Sequence, residues 1–195
     1  MIFNSLIKKI KDKDIYMLIG NGSNNQFRYI SILKKVMREL LKTLSKDSVF
    51  LYFGDAVNKS KPDVGYAFQL IHEMRPDIVI YMIQINEAKS WGVPKFVKDV
   101  YWHKDYTKKC KWGGLYQGKP CSNTKKWVNV HKRIGIEKVF ILGGGKITLD
   151  EYKIIKKLKI KYDYYEIERR YLGDGKTKIK NHSKADKIGI TYKKI

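Results

Sequence analysis

The sequence predicts an α/β fold built on a mostly parallel sheet, with helices on both faces. Short apolar runs bounded by turn residues alternate along the chain with longer amphipathic segments, the pattern of buried strands and surface helices. The runs are apolar on both faces, as strands covered from two sides must be. Strand–helix–strand order calls for right-handed crossovers and parallel pairing. A length of 195 residues with 43% apolar content suffices for one domain with a substantial core.

The first half of the chain follows this alternation closely. Apolar residues from Ile30 to Leu44 recur at a spacing of three and four, which predicts an amphipathic helix. Pro76 ends a second such segment, and turn residues close each apolar run. The predicted elements are a strand over 14–19, a helix over 30–44, a strand over 48–53, a helix over 64–74 and a strand over 77–85.

Residues 86–134 interrupt the alternation and contain all four tryptophans, with lysines and glycines between them. We expect a helix over 91–106, broken near Pro94, and a loop over 108–124. A connection of that length is uncommon without a function, so it indicates a functional insertion. The remaining predicted elements are a strand over 138–142, a helix over 149–159, a strand over 162–167, and a polar basic tail with a terminal strand over 188–192.

The charge of the chain is +22 and is unevenly distributed. Residues 1–86 hold 13 Lys and Arg against 8 Asp and Glu, whereas residues 87–195 hold 28 against 11. A basic half indicates phosphate-rich partners, including nucleic acid. Only six of the positive residues are Arg, the residue that reads bases bidentately, and abundant Lys, Ile, Asn and Tyr are also typical of an AT-rich genome.

Composition also bounds the cellular setting. No apolar run approaches the ~20 residues that span a bilayer, and residues 1–14 have no signal-peptide apolar region. We therefore expect an intracellular protein, cytoplasmic or nuclear, that does not bind a membrane. The two cysteines, Cys110 and Cys121, do not form a disulfide framework, so reduced thiols are expected.

Metal and thiol chemistry are weak alternatives. A zinc site from His103, Cys110, Cys121 and His131 would match no common spacing. Cys110 has no base or helix N-terminus beside it in the sequence that would make it a nucleophile. We expect no metal and no cofactor.

Three glycine-bearing turns follow predicted strands, and ligands of parallel α/β sheets bind at the carboxyl ends of strands. Glycine lets the backbone approach a ligand, and a helix N-terminus offers free N–H groups and positive potential. A hydroxyl from Thr148 would complete an anion site. The candidate ligand-binding residues in these turns are Gly20, Gly22, Ser23, Gly54, Asp55, Gly143, Gly144, Gly145 and Thr148.

A purely structural interpretation of the third turn stays open. A glycine run also serves to turn a strand into a helix. Thr148 and Glu151 have the spacing of a capping box, with Thr at the N-cap and Glu three residues later. In that case both side chains only satisfy backbone N–H groups.

The stretch Gly143-Gly144-Gly145-Lys146-Ile147-Thr148-Leu149-Asp150-Glu151 after a strand resembles the PGGxGTxxE signature of the LOG (lysine decarboxylase-like) family. That family belongs to the SLOG superfamily of Rossmann-like nucleotide-binding domains. The turns at Ile19–Ser23 and Tyr52–Asp55 are similar to the corresponding turns of the family. The resemblance covers about residues 14–168 and is poorest over 86–134.

The resemblance implies a Rossmann-like three-layer nucleotide-binding domain over 1–170, with an insertion over about 87–134 and a basic tail over 171–195. LOG enzymes hydrolyse the N-glycosidic bond of nucleoside 5′-monophosphates. Carried over, Glu151 is the acid/base carboxylate and Gly144, Gly145 and Thr148 hold the phosphate. The family's Arg-Lys pair corresponds to Lys125-Lys126, and a homodimer is implied.

The sequence departs from the signature at Gly143, where the family has Pro, and at Ile147, where it has Gly. Nucleotide sensing without hydrolysis is therefore an alternative, as is a structural or interaction protein that kept only the fold. A third alternative is nucleic-acid binding, with the aromatic and basic residues of 101–133 stacking on bases. The same residues can instead form a packed lid over the cleft.

Overall fold

The computed structural model describes residues 2–22, 27, 30–54, 62–106, 113–165, 167 and 192–193. The helices are α1 (Ile2–Ile10), α2 (Ile30–Lys42), α3 (Val64–Met74), α4 (Ser122–Ile134) and α5 (Lys146–Lys157), with a 3-10 helix over Asn86–Trp91. The strands are β1 (Asp14–Gly20), β2 (Ser48–Tyr52), β3 (Val79–Ile85), β4 (Asp99–His103), β5 (Leu115–Tyr116), β6 (Lys119–Pro120), β7 (Lys138–Leu142), β8 (Lys161–Tyr165) and β9 (Tyr192–Lys193).

One parallel sheet organises the molecule, with strand order β4-β3-β2-β1-β7-β8-β9. Each of the first four strands is added beside the previous one, and the chain then crosses back so that β7 pairs with the other side of β1. The two short strands β5 and β6 form a separate antiparallel hairpin. The predicted α/β class is confirmed, and the fold is Rossmann-like.

Helices cover both faces of this sheet and make three layers. On one face α2 and α3 pack on alternate strand residues such as Phe50 and Phe140. On the other face α1, α4 and α5 pack on the intervening residues, such as Met17 and Leu51. The strands are hence apolar on both sides, which is why the sequence shows continuous apolar runs rather than alternation.

The predicted helix over 91–106 is wrong. Gly92 has a φ of +88° and ends the 3-10 helix, and the chain then enters β4, which pairs with β3. β4 lies at the edge of the sheet, and most of its residues are only partly buried. An edge strand lacks the continuous apolar run that reveals a central strand, and the pattern in this stretch is correspondingly weak.

Two helices were not predicted. α4 begins at Ser122, inside the stretch predicted as a loop, and the buried residues of its first turn are polar: Ser122, Asn123 and Thr124. Its fully buried apolar residues are only Trp127 and Val130, so the helical periodicity is weak. α1 buries Leu6, Ile7 and Ile10, although its nine residues are too few for a clear periodic signal. Residues 87–134 therefore supply a strand of the sheet and a helix of one layer.

The predicted capping box is also wrong. α5 begins at Lys146 rather than Leu149, with Gly145 at the N-cap and no side-chain cap. Thr148 lies inside the first turn, where its hydroxyl donates to the carbonyl oxygen of Gly20 at 3.0 Å. The three glycines complete the turn between β7 and α5 by themselves. The helix therefore begins directly after them, at Lys146.

The structure also bears on the cysteines and on membrane-spanning helices. Cys121 is disulfide-bonded, so the expectation of reduced thiols is wrong for this residue. Cys110, the other cysteine of the sequence, lies outside the described residues, as does all of the predicted basic tail except β9. In the described part of the chain, no helix has both the length and the hydrophobicity needed to cross a bilayer.

Candidate functional site

The strand order reverses between β1 and β7, and their carboxyl ends form the crevice where ligands of open α/β sheets bind. Gly20 ends β1 and Gly143 follows β7, and the register pairs Gly20 with Leu142. The turn after β2, which contains Gly54, lies on the other side of β1. The structure thus brings the three predicted glycine turns to three adjacent strand ends.

Asn21 connects these turns. It is 2% exposed, and its Oδ1 accepts a hydrogen bond of 2.8 Å from the N–H of Gly144. Its backbone N–H donates to Leu142 at 3.2 Å, and its carbonyl accepts from the N–H of Val64 at 2.7 Å. Asn21 therefore holds the β1 turn against the β7 turn with its side chain and against the start of α3 with its backbone carbonyl.

Glycine is needed in this crevice because the turns touch. A Cβ on Gly144 would lie 2.6 Å from Cβ of Thr148, and Gly144 has a φ of +125°, which disfavours any other residue. A Cβ on Gly143 would lie 2.9 Å from Oδ1 of Asn21. Gly22 differs, because a Cβ there would meet no atom of the described residues within 4 Å. Gly143 and Gly144 therefore serve turn-to-turn packing, and Gly22 lies beside open space.

The N-terminus of α5 remains available for an anion. Gly145, at its N-cap, offers no capping side chain, so the first N–H groups of the helix have no side-chain acceptor. The single hydroxyl proton of Thr148 is already donated to Gly20. Any phosphate bound here would be held by backbone N–H groups and the helix dipole rather than by that hydroxyl.

Glu151 lies one helical turn beyond Thr148, on the same side of α5. The residue is partly exposed, but its carboxyl group lies among densely packed atoms of the protein. A Cβ on Gly113 would lie 2.8 Å from Oε1 of Glu151, so the segment before β5 covers the carboxyl group. Burial, with a smaller contribution from Asp150, raises the pKa of Glu151 to about 8. The group is protonated at neutral pH.

Lys125 and Lys126 lie on α4, and their ammonium groups lie near aromatic rings. Nζ of Lys125 lies 4.5 Å from the ring centre of Tyr106, and Nζ of Lys126 lies 5.1 Å from that of Phe3. Burial lowers the pKa of Lys126, and Lys125 lowers it further. No described hydrogen bond or ion pair connects either ammonium group to Gly143–Gly145.

Of the remaining sequence positions, Ile147 and Gly54 are described, whereas Ser23 and Asp55 are not. Ile147, which stands where the family signature has glycine, is 48% exposed on the first turn of α5. The carbonyl of Gly54 accepts a hydrogen bond of 2.9 Å from Nε2 of Gln84 and so anchors a neighbouring network. Ser23 and Asp55 lie outside the described residues.

That network is a buried relay of polar side chains at the same edge of the sheet, which we call the amide relay: Gln84, Asn123 and His103. Nε2 of Gln84 donates to the carbonyls of Phe53 and Gly54. Its Oε1 accepts from Nδ2 of Asn123 at 2.7 Å, and Oδ1 of Asn123 lies 2.7 Å from Nε2 of His103. The relay joins the ends of β2, β3 and β4 to the start of α4.

The backbone carbonyls fix the direction of every bond in the amide relay. Carbonyl oxygens only accept, so the amide nitrogen of Gln84 must face Phe53 and Gly54, and the amide of Asn123 must present its oxygen to His103. Nε2 of His103 therefore carries a proton. Nδ1 lies 3.2 Å from the carbonyl of Lys104, where it gains a hydrogen bond only if the ring takes a second proton.

Protonation of His103 is nevertheless disfavoured. Burial lowers the pKa of the imidazole, and the hydrogen bonds to Asn123 and Lys104 only partly oppose this. Lys126 lowers the pKa further, whereas Asp105 raises it. The ring is held in one orientation and one tautomer beside the crevice. On its far side, Nδ1 can donate to the carbonyl of Lys104 only when the ring carries a second proton.

Neither Asn21 nor the amide relay was predicted as a functional feature from the sequence. Asn21 was considered only as part of a turn, and His103 only as a zinc ligand. The relay joins residues 20 to 39 positions apart, whose contacts depend on the strand order. A usable signal was a single Gln in an otherwise apolar strand, because a polar residue there must find a buried partner.

Metal binding and base stacking depend on how the residues named for them are arranged and exposed. Within the described ranges, no group of three or more His, Cys, Asp or Glu residues is arranged to hold a metal ion. Trp127 and Tyr101 are buried in the core and cannot stack on bases, whereas Tyr106 is 46% exposed. Trp112 lies outside the described residues.

A scan against protein-family models and a search of the curated proteins find no match to this chain.

Proposed function

We propose that this protein binds a nucleotide or a nucleotide-derived ligand in the crevice between the ends of β1 and β7, as a member of the SLOG superfamily. The observation that carries the proposal is the reversal of strand order between Gly20 and Gly143, with the uncapped N-terminus of α5 directly behind it. This is the position at which Rossmann-like sheets bind pyrophosphate and phosphate.

The site offers separate regions for an anion and for the rest of a ligand. The phosphate would accept hydrogen bonds from the N–H groups of Gly145, Lys146 and Ile147, where the helix dipole favours negative charge. The open space beside Gly22 leaves room for a sugar against bare backbone. The engaged hydroxyl of Thr148 positions the turn and does not bind the phosphate directly.

Hydrolysis of an N-glycosidic bond would use Glu151 as the proton donor. A carboxyl group with a pKa of about 8 is protonated at neutral pH, so it can give its proton to the departing base while water adds to the anomeric carbon. The water that adds to the anomeric carbon loses a proton, and this proton returns the Glu151 carboxylate to its acid form. Gly113 covers Oε1 of Glu151, so a bound nucleotide must displace that segment.

A thermal-shift screen tests binding. The four ribonucleoside 5′-monophosphates are compared with their nucleosides and with inorganic phosphate. A ligand at 100 times its Kd stabilises the folded state by about 2.7 kcal/mol, which corresponds to roughly 5–10 °C in Tm for a chain of this size. We expect nucleotides to exceed both phosphate and nucleosides. No shift with any nucleotide would contradict the proposal.

Release of free base, measured by chromatography, tests hydrolysis separately. Glu151→Gln should abolish base release and keep the thermal shift, because the amide fills the same space but has no acidic proton to give. Glu137→Gln is the matched control, since this carboxylate lies at the opposite edge of the sheet in an ion pair with Lys161. Nucleotide binding without base release in the unaltered protein would leave a nucleotide sensor and reject the hydrolase.

A further inference from the structure

The amino edge of the sheet, opposite the crevice, collects positive charge from the ends of helices. Each helix precedes a strand of the parallel sheet, so α1, α4 and α5 all end at this edge. Their last turns are basic, and Nη1 of Arg133 donates to Asn4 at 2.9 Å, which joins α4 to α1. The Lys and Arg residues in these last turns are Lys8 and Lys9 of α1, Lys132 and Arg133 of α4, and Lys156 and Lys157 of α5.

The densest charge lies where α5 leads into β8. Residues 153–161 hold five lysines and no acidic residue, and all five lysines are exposed. We call them the lysine ridge: Lys153, Lys156, Lys157, Lys159 and Lys161. The ion pairs of the ridge are Lys153 with Asp150 at 3.7 Å and Lys161 with Glu137 at 2.7 Å. The other three lysines have no ion-pair partner among the described residues.

Three members of the ridge share one face of α5. Lys153, Lys156 and Lys157 stand at positions i, i+3 and i+4, where neighbouring Cβ atoms are roughly 5–6 Å apart. Together with Tyr152 they line an open groove of about 400 Å³. A run of ammonium groups along a groove suits a chain of anions rather than a single one.

We propose that the lysine ridge binds the phosphate backbone of a nucleic acid. Each lysine that neutralises a phosphate releases condensed counterions, which makes such binding favourable and strongly dependent on salt. Lysine supplies point charge without the planar fork that reads bases, so binding is expected to depend little on sequence. The surface differs from the aromatic stretch 101–133 to which the sequence had drawn attention, since Tyr101 and Trp127 are buried.

Other polyanions fit this surface less well. A membrane-binding surface inserts apolar side chains beside its basic residues, whereas Ile154, Ile155 and Ile160 of this segment are buried in the core. Carboxylates of an acidic protein are bound best by the bidentate fork of Arg, and residues 153–161 contain none. Phosphates spaced along a chain remain the best match.

The ridge is independent of the proposed nucleotide site, because it lies at the amino edge of the sheet and the crevice lies at the carboxyl edge. Lys156→Glu/Lys157→Glu should therefore leave the thermal shift with nucleotides unchanged. Either inference can fail while the other stands.

Fluorescence anisotropy of labelled oligonucleotides, about 20 nucleotides long and single- or double-stranded, tests the proposal. We expect binding at about 50 mM KCl that weakens steeply by about 200 mM. Lys156→Glu/Lys157→Glu should raise Kd at least about tenfold and should lower the slope of log K against log salt by about 1.4–1.8, or 0.7–0.9 for each lost contact. Lys156→Gln/Lys157→Gln removes both positive charges without placing negative charge at the C-terminus of α5, where the helix dipole disfavours it. This variant should show the same change of slope.

The matched control is Lys35→Glu/Arg38→Glu on α2, which makes the same change of net charge from exposed positions on the other face of the sheet. Equal weakening by the two double variants would mean that only net charge matters and would overturn the proposal. Absence of binding at low salt would overturn it as well. Displacement by poly-glutamate, or by anionic phosphatidylserine vesicles, at equal charge concentration would assign the ridge to an acidic protein or a membrane instead.

Discussion

At the scale of single residues, Asn21 shows how one side chain organises the crevice. Its amide oxygen accepts from Gly144, and its backbone contacts Leu142 and Val64. Buried polar groups of this kind contribute little while paired and cost much when a partner is removed. The crevice therefore depends on a residue that need not touch a ligand.

Asn21→Ala tests this role. The N–H of Gly144 loses its acceptor, so we expect a loss of about 1–3 kcal/mol in the free energy of unfolding, measured by urea denaturation. Asn86→Ala, at an exposed position in the 3-10 helix, should change it by no more than about 0.5 kcal/mol. Equal stability of the two variants would show that the Gly144 contact is dispensable.

His103 is the second residue with a defined electrostatic role. Its Nε2 proton is fixed by Asn123, and burial lowers its pKa below the ordinary 6.5. The folded state thus binds fewer protons than the unfolded state as the pH falls below 6.5. Its contribution to stability is complete above pH 6.5 and is lost as the pH falls toward the lowered pKa.

His103→Gln should weaken this dependence on pH. The Gln amide can still donate to Asn123 but does not titrate, so less stability should be lost between pH 7.5 and 5.5 than in the unaltered protein. Urea denaturation at the two values measures the difference. His72→Gln, at an exposed position on α3, should keep the original profile. An unchanged loss in His103→Gln would show that the imidazole is charged in the folded protein.

At the scale of elements, two neighbouring turns use glycine for different reasons. The turn after β7 needs Gly144 because α5 begins at once and Thr148 lies against it. The turn after β1 has Gly22 beside open space, where no packing requires it. A glycine that packing does not need is a stronger indication of a ligand than one that packing explains.

Substituting alanine at these two glycines separates the roles. Gly144→Ala should destabilise by about 2 kcal/mol or more, because the methyl group overlaps Thr148 and the backbone has a positive φ. Gly22→Ala should leave Tm within about 2 °C, which is less than 1 kcal/mol, yet weaken nucleotide binding. Full nucleotide affinity in a stable Gly22→Ala protein would place the ligand away from the β1 turn.

At the scale of the whole molecule, the parallel sheet separates two kinds of surface. Its carboxyl edge gathers the glycine turns, Glu151 and the amide relay, whereas its amino edge gathers the basic ends of helices. The stability of the protein also depends on pH in two opposite ways. Stability from His103, and from His131 whose pKa burial also lowers, falls on acidification, while stability linked to Glu151 falls on alkalinisation.

Glu151→Gln tests the alkaline side of this profile. The folded pKa of about 8 lies above the ordinary 4.5, so the contribution is complete below pH 4.5 and is lost as the pH rises to 8. The variant should match the unaltered protein near pH 4.5 and be more stable by up to about 5 kcal/mol at pH 8, because each unit of pKa shift corresponds to about 1.4 kcal/mol. Thermal unfolding across this range measures the gap. A constant gap would mean that the carboxyl group is ionised throughout.

The sequence by itself determined the central architecture. Continuous apolar runs between turn residues predicted β1, β2, β3 and β7, because buried parallel strands must be apolar on both faces. β8 was also predicted, although it contains Asp163 and buries only Tyr165 fully. It also predicted α2 and α3, whose long apolar faces repeat at helical spacing. The three glycine turns were found because turns need particular residues wherever they occur.

Only the tertiary structure decided what those turns do. β4 and α4 were missed because an edge strand and a helix with a polar buried face carry little periodic signal. The roles of Asn21 and Thr148, and the amide relay, depend on which strands are neighbours, and local pattern does not specify that order. The burial that raises the pKa of Glu151 likewise comes from a segment distant in sequence, at Gly113.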